Sequence, residues 1–497
     1  MSDSGSSVVE SPFTLSTTGK YVIIVAAFLG WFFGGMHMAI TSLAMGSAAE
    51  DLLVRTGYGV VTEGDRTSAA KFLDISDTDG DGRLNPEEAS AAGYSRPEGE
   101  SSDLSREDLI EHYRRSRLDA AGSKWFGFYT CAFLFGAALG GLIFGRIGDQ
   151  YGRVIGMGGS ILVYSAVSLV AYFVRSPEEL WIARFVVCMG VGGMWPNGVA
   201  LMSEAWAGVS RPMLAGVIGT SANVGIFLTS LVARNFHITV ESWRWVMLMG
   251  GGPIVLAVFV FLCVPESPKW LARRKGLSPA TPHTDQTANS RAEVSTWDVF
   301  KPPLLGVTLG GILLATVPLL GGWGSANWAM NWADQVGREI GEPGLKADAG
   351  MARSLTGIIG SLLGGWVASV VGRRLSYFIA SVVALGSAQY LFWMLSPEQP
   401  SFLVWFAILG LFSGFYFGWL PLFLPELFET RIRSTGAGVC FNFGRIITAI
   451  TVFVTALLIT AFDNDYSRIG RVTSLIYLLG AIGICLVPKH VGGEIKD

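Results

Sequence analysis

Charge is scarce in this chain: Asp, Glu, Lys and Arg make up 15% of its 497 residues, where a soluble globular domain carries about 25%. That shortage, beside a hydrophobic share of 51%, argues against an ordinary soluble fold. Net charge is −3 and no basic cluster suggests a nucleic-acid partner. Only five cysteines are present, Cys131, Cys188, Cys263, Cys440 and Cys485, each inside an apolar run and none in CxxC spacing. They read as small packed hydrophobes rather than as disulfides or metal ligands. No catalytic triad, zinc cluster or phosphate-cradling loop appears, so an enzyme is not expected. A cleavable signal peptide is missing too, because the first apolar run is too long and follows a polar, Ser/Thr-rich tail.

What the chain has in plenty is long apolar runs. A bilayer-spanning helix needs about 20 mostly apolar residues. About twelve such runs can be read, the first at Tyr21–Met45 and the last beginning near Arg468. The expected fold class is an all-α membrane protein of twelve transmembrane helices. It divides into a disordered tail at 1–20, a first span at 21–46, an insertion at 47–123 and spans two to six at 124–265. A linker at 266–301, spans seven to twelve at 302–488 and a tail at 489–497 complete it. The linker side carries Lys269, Arg273, Arg274, Lys275, Arg291 and Lys301. Positive loops stay in the cytoplasm, which places both termini inside and the acidic insertion outside.

The two halves repeat. "GRIGDQYGR" (Gly145–Arg153) and "GWVASVVGRR" (Gly365–Arg374) stand at an offset of about 220 residues, as do Glu204 with Arg211 and Glu426 with Arg433. Two independent marks at one offset imply two six-helix pseudo-repeats, an architecture that sets a substrate cavity between two rocking bundles.

"GRIGDQYGR" resembles the loop signature G-x-x-x-D-x-x-G-R of the major facilitator superfamily, and "RFVVCMGVGG" (Arg184–Gly193) its fourth-helix motif. "PESPKWL" (Pro265–Leu271) and the two E-x(6)-R endings resemble the branch with sugar porters, organic-ion transporters and metabolite–proton symporters. The opening "AAFLGWFFGG" is similar to the first helix of sialate and lactate permeases. The resemblance implies a secondary transporter working by alternating access.

Asp149 is expected to cap the N-terminus of the third run. Arg153, Glu204 and Arg211 are expected to form an ion network latching the inward side, with Glu426 and Arg433 repeating the pair. The bland alternative is that these charges only anchor helix ends at the headgroups. Ser369 stands where the second half would need the acid, so the latch is asymmetric.

Polar groups inside a bilayer are expensive and usually face a cavity or a partner. Arg445 lies twelve residues into the eleventh run, roughly 18 Å along it and near mid-membrane. Asn442 shares its face, and Asn223 occupies the matching place in the other half. A guanidinium grips a carboxylate with two parallel bonds, and the resemblance implies an arginine on this helix in organic-anion carriers. A structural arginine is the alternative. His37 is either a proton carrier or a polar contact between helices. Trp195, Asn197 and Tyr416 lie on helices that line the cavity in this superfamily. Asn327, Asn331 and Asp334 share a face at the seventh run's outer end.

One stretch does not belong to the oil. "DTDGDGRLNPEE" (Asp77–Glu88) supplies a calcium loop with Asp77, Asp79, Asp81, the carbonyl of Arg83, Asn85 and bidentate Glu88, and Gly82 at the turn. "PEGESSDLSRED" (Pro97–Asp108) places Leu104 and Asp108 where Leu84 and Glu88 stand, as in a partner hand without metal. Ca2+ is thus the expected cofactor of an extracytoplasmic EF-hand insertion, with a structural role.

The expected protein is a monomeric carrier in a bacterial inner (plasma) membrane, moving a small organic solute. The leading solute is an organic anion such as a monocarboxylate or sugar acid, moved with protons. Alternatives are a sugar or drug carrier, or a calcium-responsive receptor that transports nothing.

Overall fold

A computed structural model describes residues 15–92, 103–206, 211–275, 299–428, 432–457, 459–462 and 465–487. Residues 1–14 of the tail expected at 1–20, the tail at 489–497, most of the linker and the earlier part of the partner hand lie outside the described residues. The last residues of the first tail are helical, since Ser16 caps α1 from Thr17. So do the side chains of Arg211 and Arg433.

Among the described residues, twelve helices are long and apolar enough to cross a membrane. In lipid every backbone polar group must be bonded within the segment, which leaves the helix as the available form for such runs. The first bundle holds α1 (Thr17–Arg55), α4 (Arg106–Tyr151), α5 (Arg153–Ala171), α6 (Pro177–Ala205) and α7 (Arg211–Asn235). Its sixth span is made of α8 (Trp245–Gly251) and α9 (Ile254–Cys263). Between α1 and α4 lie α2 (Glu63–Ser76) and α3 (Pro86–Ala91), and α10 (Pro268–Arg274) follows the sixth span.

The second bundle opens with α11 (Leu305–Leu320), a π-turn at Gly321–Ser325 and α12 (Ala326–Glu339), which together form one span. It continues with α13 (Leu345–Val371), α14 (Arg373–Met394), α15 (Pro400–Glu426) and α16 (Arg433–Leu457). The last span is α17 (Tyr466–Thr473) with α18 (Ile476–Leu486).

The repeat shows in the breaks. Gly152 parts α4 from α5 at φ +123°, and Gly372 parts α13 from α14 at φ +98°. A side chain rarely adopts that backbone region, so glycine permits the tight reversal. The cap of α5 differs from expectation. Its first amides, Arg153 N and Val154 N, donate to Glu266 at 3.0 and 3.1 Å. Asp149, one turn back, pairs with the Arg153 guanidinium instead, at 2.6 Å. A carboxylate beyond the chain break reaches orphan amides that one on the preceding helix does not.

Helices approach closely through small residues. Gly410, Gly414 and Gly418 recur on one face of α15, and a Cβ on Gly414 would lie 2.8 Å from the Gly357 Cα of α13. Gly414→Ala is therefore expected to lower the thermal midpoint in detergent, at an overpacking cost of about 1–3 kcal/mol. Gly306→Ala, with nothing within 4 Å, should leave it in place. Equal midpoints for the two would show that the α13–α15 crossing tolerates a methyl.

The spans outrun their expected ends toward the insertion. α1 continues to Arg55 because Ala48, Ala49, Leu52 and Leu53 stay buried, and α4 begins at Arg106 with Leu109 and Leu118 buried. The insertion is consequently built on two rigid extensions. Ala69, Leu73, Leu84, Ala89, Leu104 and Leu109 form its small core. Leu84 and Leu104 exchange both backbone bonds, at 3.0 and 2.8 Å. Arg117 of α4 clamps the strap by donating to Tyr58 O, Val60 O and Asp65. The Arg117 hydrogen bond is the first cause that pulls the Asp65 carboxyl down to about 2.

Candidate substrate cavity and acidic loop

The bundles are joined at mid-depth and toward the insertion face. Ser42 donates to Asn327 (3.0 Å), Asn223 to Ser361 (2.9 Å), Arg234 pairs with Asp348 (2.8 Å) and Arg338 with Glu50 (3.1 Å). Phe133 and Trp323 stack across the same seam with centroids 4.2 Å apart. Below this closure lies a cavity of about 390 Å³, whose walls run down to Pro425, Ala437 and Gly438 at the opposite ends of α15 and α16. That volume suits a small metabolite. The structure is thus shut toward the insertion and reaches toward the face that bears α10.

Among the described residues two cations line this cavity, Arg353 of α13 and Arg445 of α16, and its lining holds no Asp, Glu, His or Lys. Arg353 Nη2 reaches only the Gly322 carbonyl, at 3.4 Å, and Arg445 Nη1 the Ala137 carbonyl, at 3.5 Å. Both contacts are long for a hydrogen bond. The Arg445 guanidinium also lies 4.6 Å over the Phe441 ring, a cation–π contact. Among the described residues neither arginine forms an ion pair. Trp31 packs on Trp195 at 4.8 Å and adds an aromatic wall.

Of the residues expected to touch cargo, Arg445, Asn442, Asn223 and Trp195 line the cavity. Asn223 spends its amide on α13, donating to Gly357 O and Ser361. The other three are corrections. Asn197 is two positions past Trp195, about 200° around the helix, and donates instead to Phe144 O and Gly193 O at 2.9 Å. Tyr416 faces away from its neighbours Ser413 and Phe417, bonded to Ser381 at 2.8 Å and packed on Tyr377. His37 is fully buried within the first bundle against Tyr164. Trp31, Met38 and Ser42 share the α1 face that meets the cavity, and the His37 ring lies off that stripe.

Arg353 escaped the sequence reading, although an arginine within an apolar run is the same signal that marked Arg445. α13 begins at Leu345 and brings Arg353, in its third turn, to the cavity wall. Asn327 was placed at an outer mouth, yet it lines the cavity and is 2% exposed. Asp334 pairs with Lys346 (3.5 Å) and Arg338 (3.7 Å).

Of the expected latch residues, Asp149, Arg153 and Glu204 meet in the first bundle. Glu426 meets Arg373 rather than an expected partner, and the Arg211 and Arg433 side chains lie outside the described residues. Arg153 meets Asp149 at 2.6 Å and Glu204 at 3.8 Å, and Glu204 accepts from the Ser267 hydroxyl. In the second bundle Arg373 grips Glu426 with two bonds, at 3.1 and 2.9 Å. Arg184 of the fourth-helix motif donates to Thr41 (2.6 Å) and His37 O, tying α6 to α1.

In the insertion, Asp77, Asp79 and Asp81 each present an oxygen within 4.8 Å of the others. Gly82 turns the loop at φ +80°. Asn85 caps α3, and Glu88 accepts from Asn85 N and from the Thr78 amide and hydroxyl. Asp108 repeats that box on Ser105.

The sequence profile of the Major Facilitator Superfamily matches residues 118–452. The cis,cis-muconate transport protein of Acinetobacter baylyi is 26% identical over 335 residues, 67% of this chain and 77% of that protein. The 4-hydroxybenzoate transporter PcaK of Pseudomonas aeruginosa is 25% identical over 349 residues, 65% of this chain and 76% of its own. The inward-open structure of the xylose transporter XylE from E. coli superposes with a TM-score of 0.59 at 14% identity. It covers 96% of this chain and 98% of XylE, a likeness of fold. With twelve candidate spans, a duplicated plan and a cavity between the bundles, the chain belongs to the Major Facilitator Superfamily, and it is an integral membrane transporter rather than an enzyme.

Proposed function

We propose that this carrier moves small organic anions by alternating access. The observation that carries the reading is the pair Arg353 and Arg445, turned into one apolar, aromatic-walled cavity whose described lining holds no acid. A guanidinium offers a carboxylate a fork of parallel donors, and desolvation strengthens that contact while penalising an empty site. Monocarboxylates, sugar acids and unsaturated or aromatic carboxylates fit this chemistry, in keeping with the muconate and 4-hydroxybenzoate relatives. Asn442, Asn223 and Trp195 complete the wall. A neutral sugar or a drug would leave both guanidiniums without counter-charge.

A thermal-shift panel on purified full-length protein tests this, because a ligand that binds only the folded state raises its stability. Carboxylates should raise the midpoint and xylose should not. The reverse pattern would favour the sugar reading. Stabilisation by calcium alone, with no solute effective, would favour a receptor.

In the proposed orientation both termini face the cytoplasm of a bacterial inner membrane, since Lys269, Arg274, Lys275 and Lys301 cluster on that side. One chain supplies both bundles, so a monomer suffices. Asp149, Arg153 and Glu204, with Arg373 and Glu426, stiffen the cytoplasmic ends and favour closure there; Arg211 and Arg433 are assigned the same duty. Asp149→Asn leaves Arg153 one partner short. It should slow uptake at normal abundance and raise cysteine labelling from the cytoplasmic side. Unchanged labelling would remove the gating role.

The insertion is assigned a calcium ion. Three converging carboxylates without a counter-ion fit a hard cation. Asp77, Asp79 and Asp81 would hold it, with the Arg83 carbonyl, Asn85 and Glu88 completing the set. Calcium would offset their mutual repulsion and keep the small cap folded.

A further inference from the structure

Building on the organic-anion reading, we infer that the carrier is an obligate anion exchanger, which returns across the membrane only when loaded. The observation is the charge of the cavity. Arg353 and Arg445 are the charged side chains of its lining. Arginine does not deprotonate in proteins, so neither can shed its charge when the site empties.

Among the described residues, the acids nearest these helices are already engaged. Asp348, on the same helix as Arg353, is held by Arg234 at 2.8 Å. Asp334 on α12 is shared by Lys346 and Arg338, and Glu50 is held by Arg338 at 3.1 Å. Arg234–Asp348 and Arg338–Glu50 are among the contacts that close the insertion face, so diverting either acid would weaken that closure. The titratable neighbour that interacts with Arg353 is Tyr477, a phenol; Arg445 has Phe441 and a peptide carbonyl.

Alternating access passes through an occluded state shut from water on both faces. An empty carrier would have to enclose two uncompensated guanidiniums there, and burying unpaired charge is strongly unfavourable. A bound carboxylate supplies the missing charge, and a dicarboxylate supplies both. Reorientation is therefore fast when loaded and slow when empty. Proton co-transport, the coupling expected from the family likeness, would need a protonatable group facing the cargo. The lining offers none. His37, the histidine of α1, is enclosed within the first bundle away from the cavity.

The experiment uses full-length protein in proteoliposomes. Radiolabelled cis,cis-muconate and 4-hydroxybenzoate are the probes, each first checked for a thermal shift. Vesicles are filled either with potassium chloride or with the same unlabelled anion. Internal anion should accelerate initial uptake at least tenfold, and an inward proton gradient at fixed external pH should not. Arg353→Gln, with one charge fewer, should narrow the gap between loaded and empty vesicles several-fold, even at lower affinity. Equal rates into empty and loaded vesicles, or acceleration by the proton gradient, would overturn exchange while leaving the anion reading intact. If neither probe stabilises the protein, the anion reading falls, and exchange falls with it.

Discussion

Arg445→Ala should abolish uptake of organic anions while the protein still reaches the membrane in normal amount. Hydrogen bonds to charged groups contribute about 1.5–3 kcal/mol each. Losing two of them at one carboxylate corresponds to at least a hundredfold weaker binding, at about 1.4 kcal/mol per tenfold. Arg445→Lys keeps the charge but loses the planar fork, so an intermediate loss of affinity is expected. A structural arginine makes a different forecast. Its contacts inside the protein are one carbonyl at 3.5 Å and the Phe441 ring, and if those held the fold, both variants would lose abundance rather than affinity. Uptake normalised to membrane protein separates the two cases. Normal transport by the alanine variant would move the sugar or drug reading ahead.

Glu88→Gln should weaken calcium binding at least tenfold. The carboxylate offers two oxygens to the ion at the twelfth loop position, and an amide offers one weaker acceptor. The Thr78 hydroxyl and amide hold the Glu88 carboxyl below the usual carboxylate range, so it is ionised and ready at neutral pH. The substitution is mild on the fold, because glutamine serves at the third position of a capping box as glutamate does. Calorimetry on the full-length protein in detergent measures the change, with exposed Glu87→Gln as the control. Unchanged affinity would mean that the loop is not a calcium site.

Much of the architecture was legible from the chain alone. Span number follows from apolar length, because the bilayer thickness sets the length of a helix that crosses it. Duplication followed from Gly152 and Gly372 and from the paired E-x(6)-R endings. The structure places Arg153 with Glu204 and Arg373 with Glu426 in matching positions. The convergence of Asp77, Asp79 and Asp81 was readable because they are near neighbours in sequence, so it depends on local turns. Leu84 and Leu104 were paired by the same spacing and meet as a backbone bridge.

The cavity was less legible. An apolar run tells that a helix is buried, but in a span enclosed on several sides nearly every face is apolar, so periodicity does not say which face meets the cavity. Trp195 lines it and Asn197 does not, although both are polar or amphipathic residues on one turn of α6. His37 and Tyr416 failed for the same reason. Arg353 was not among the expected residues, and it is the rotation of α13 that turns it to the cavity. Sequence by itself determined the spans, their duplication and the gathering of Asp77, Asp79 and Asp81 in one loop, since each follows from apolar length, spaced marks or residues close along the chain. Only the tertiary structure decided that Arg353 and Arg445 share one space with no acid in its lining. That depends on how α13 and α16 are rotated and packed, a relation between residues about ninety apart that no local pattern carries.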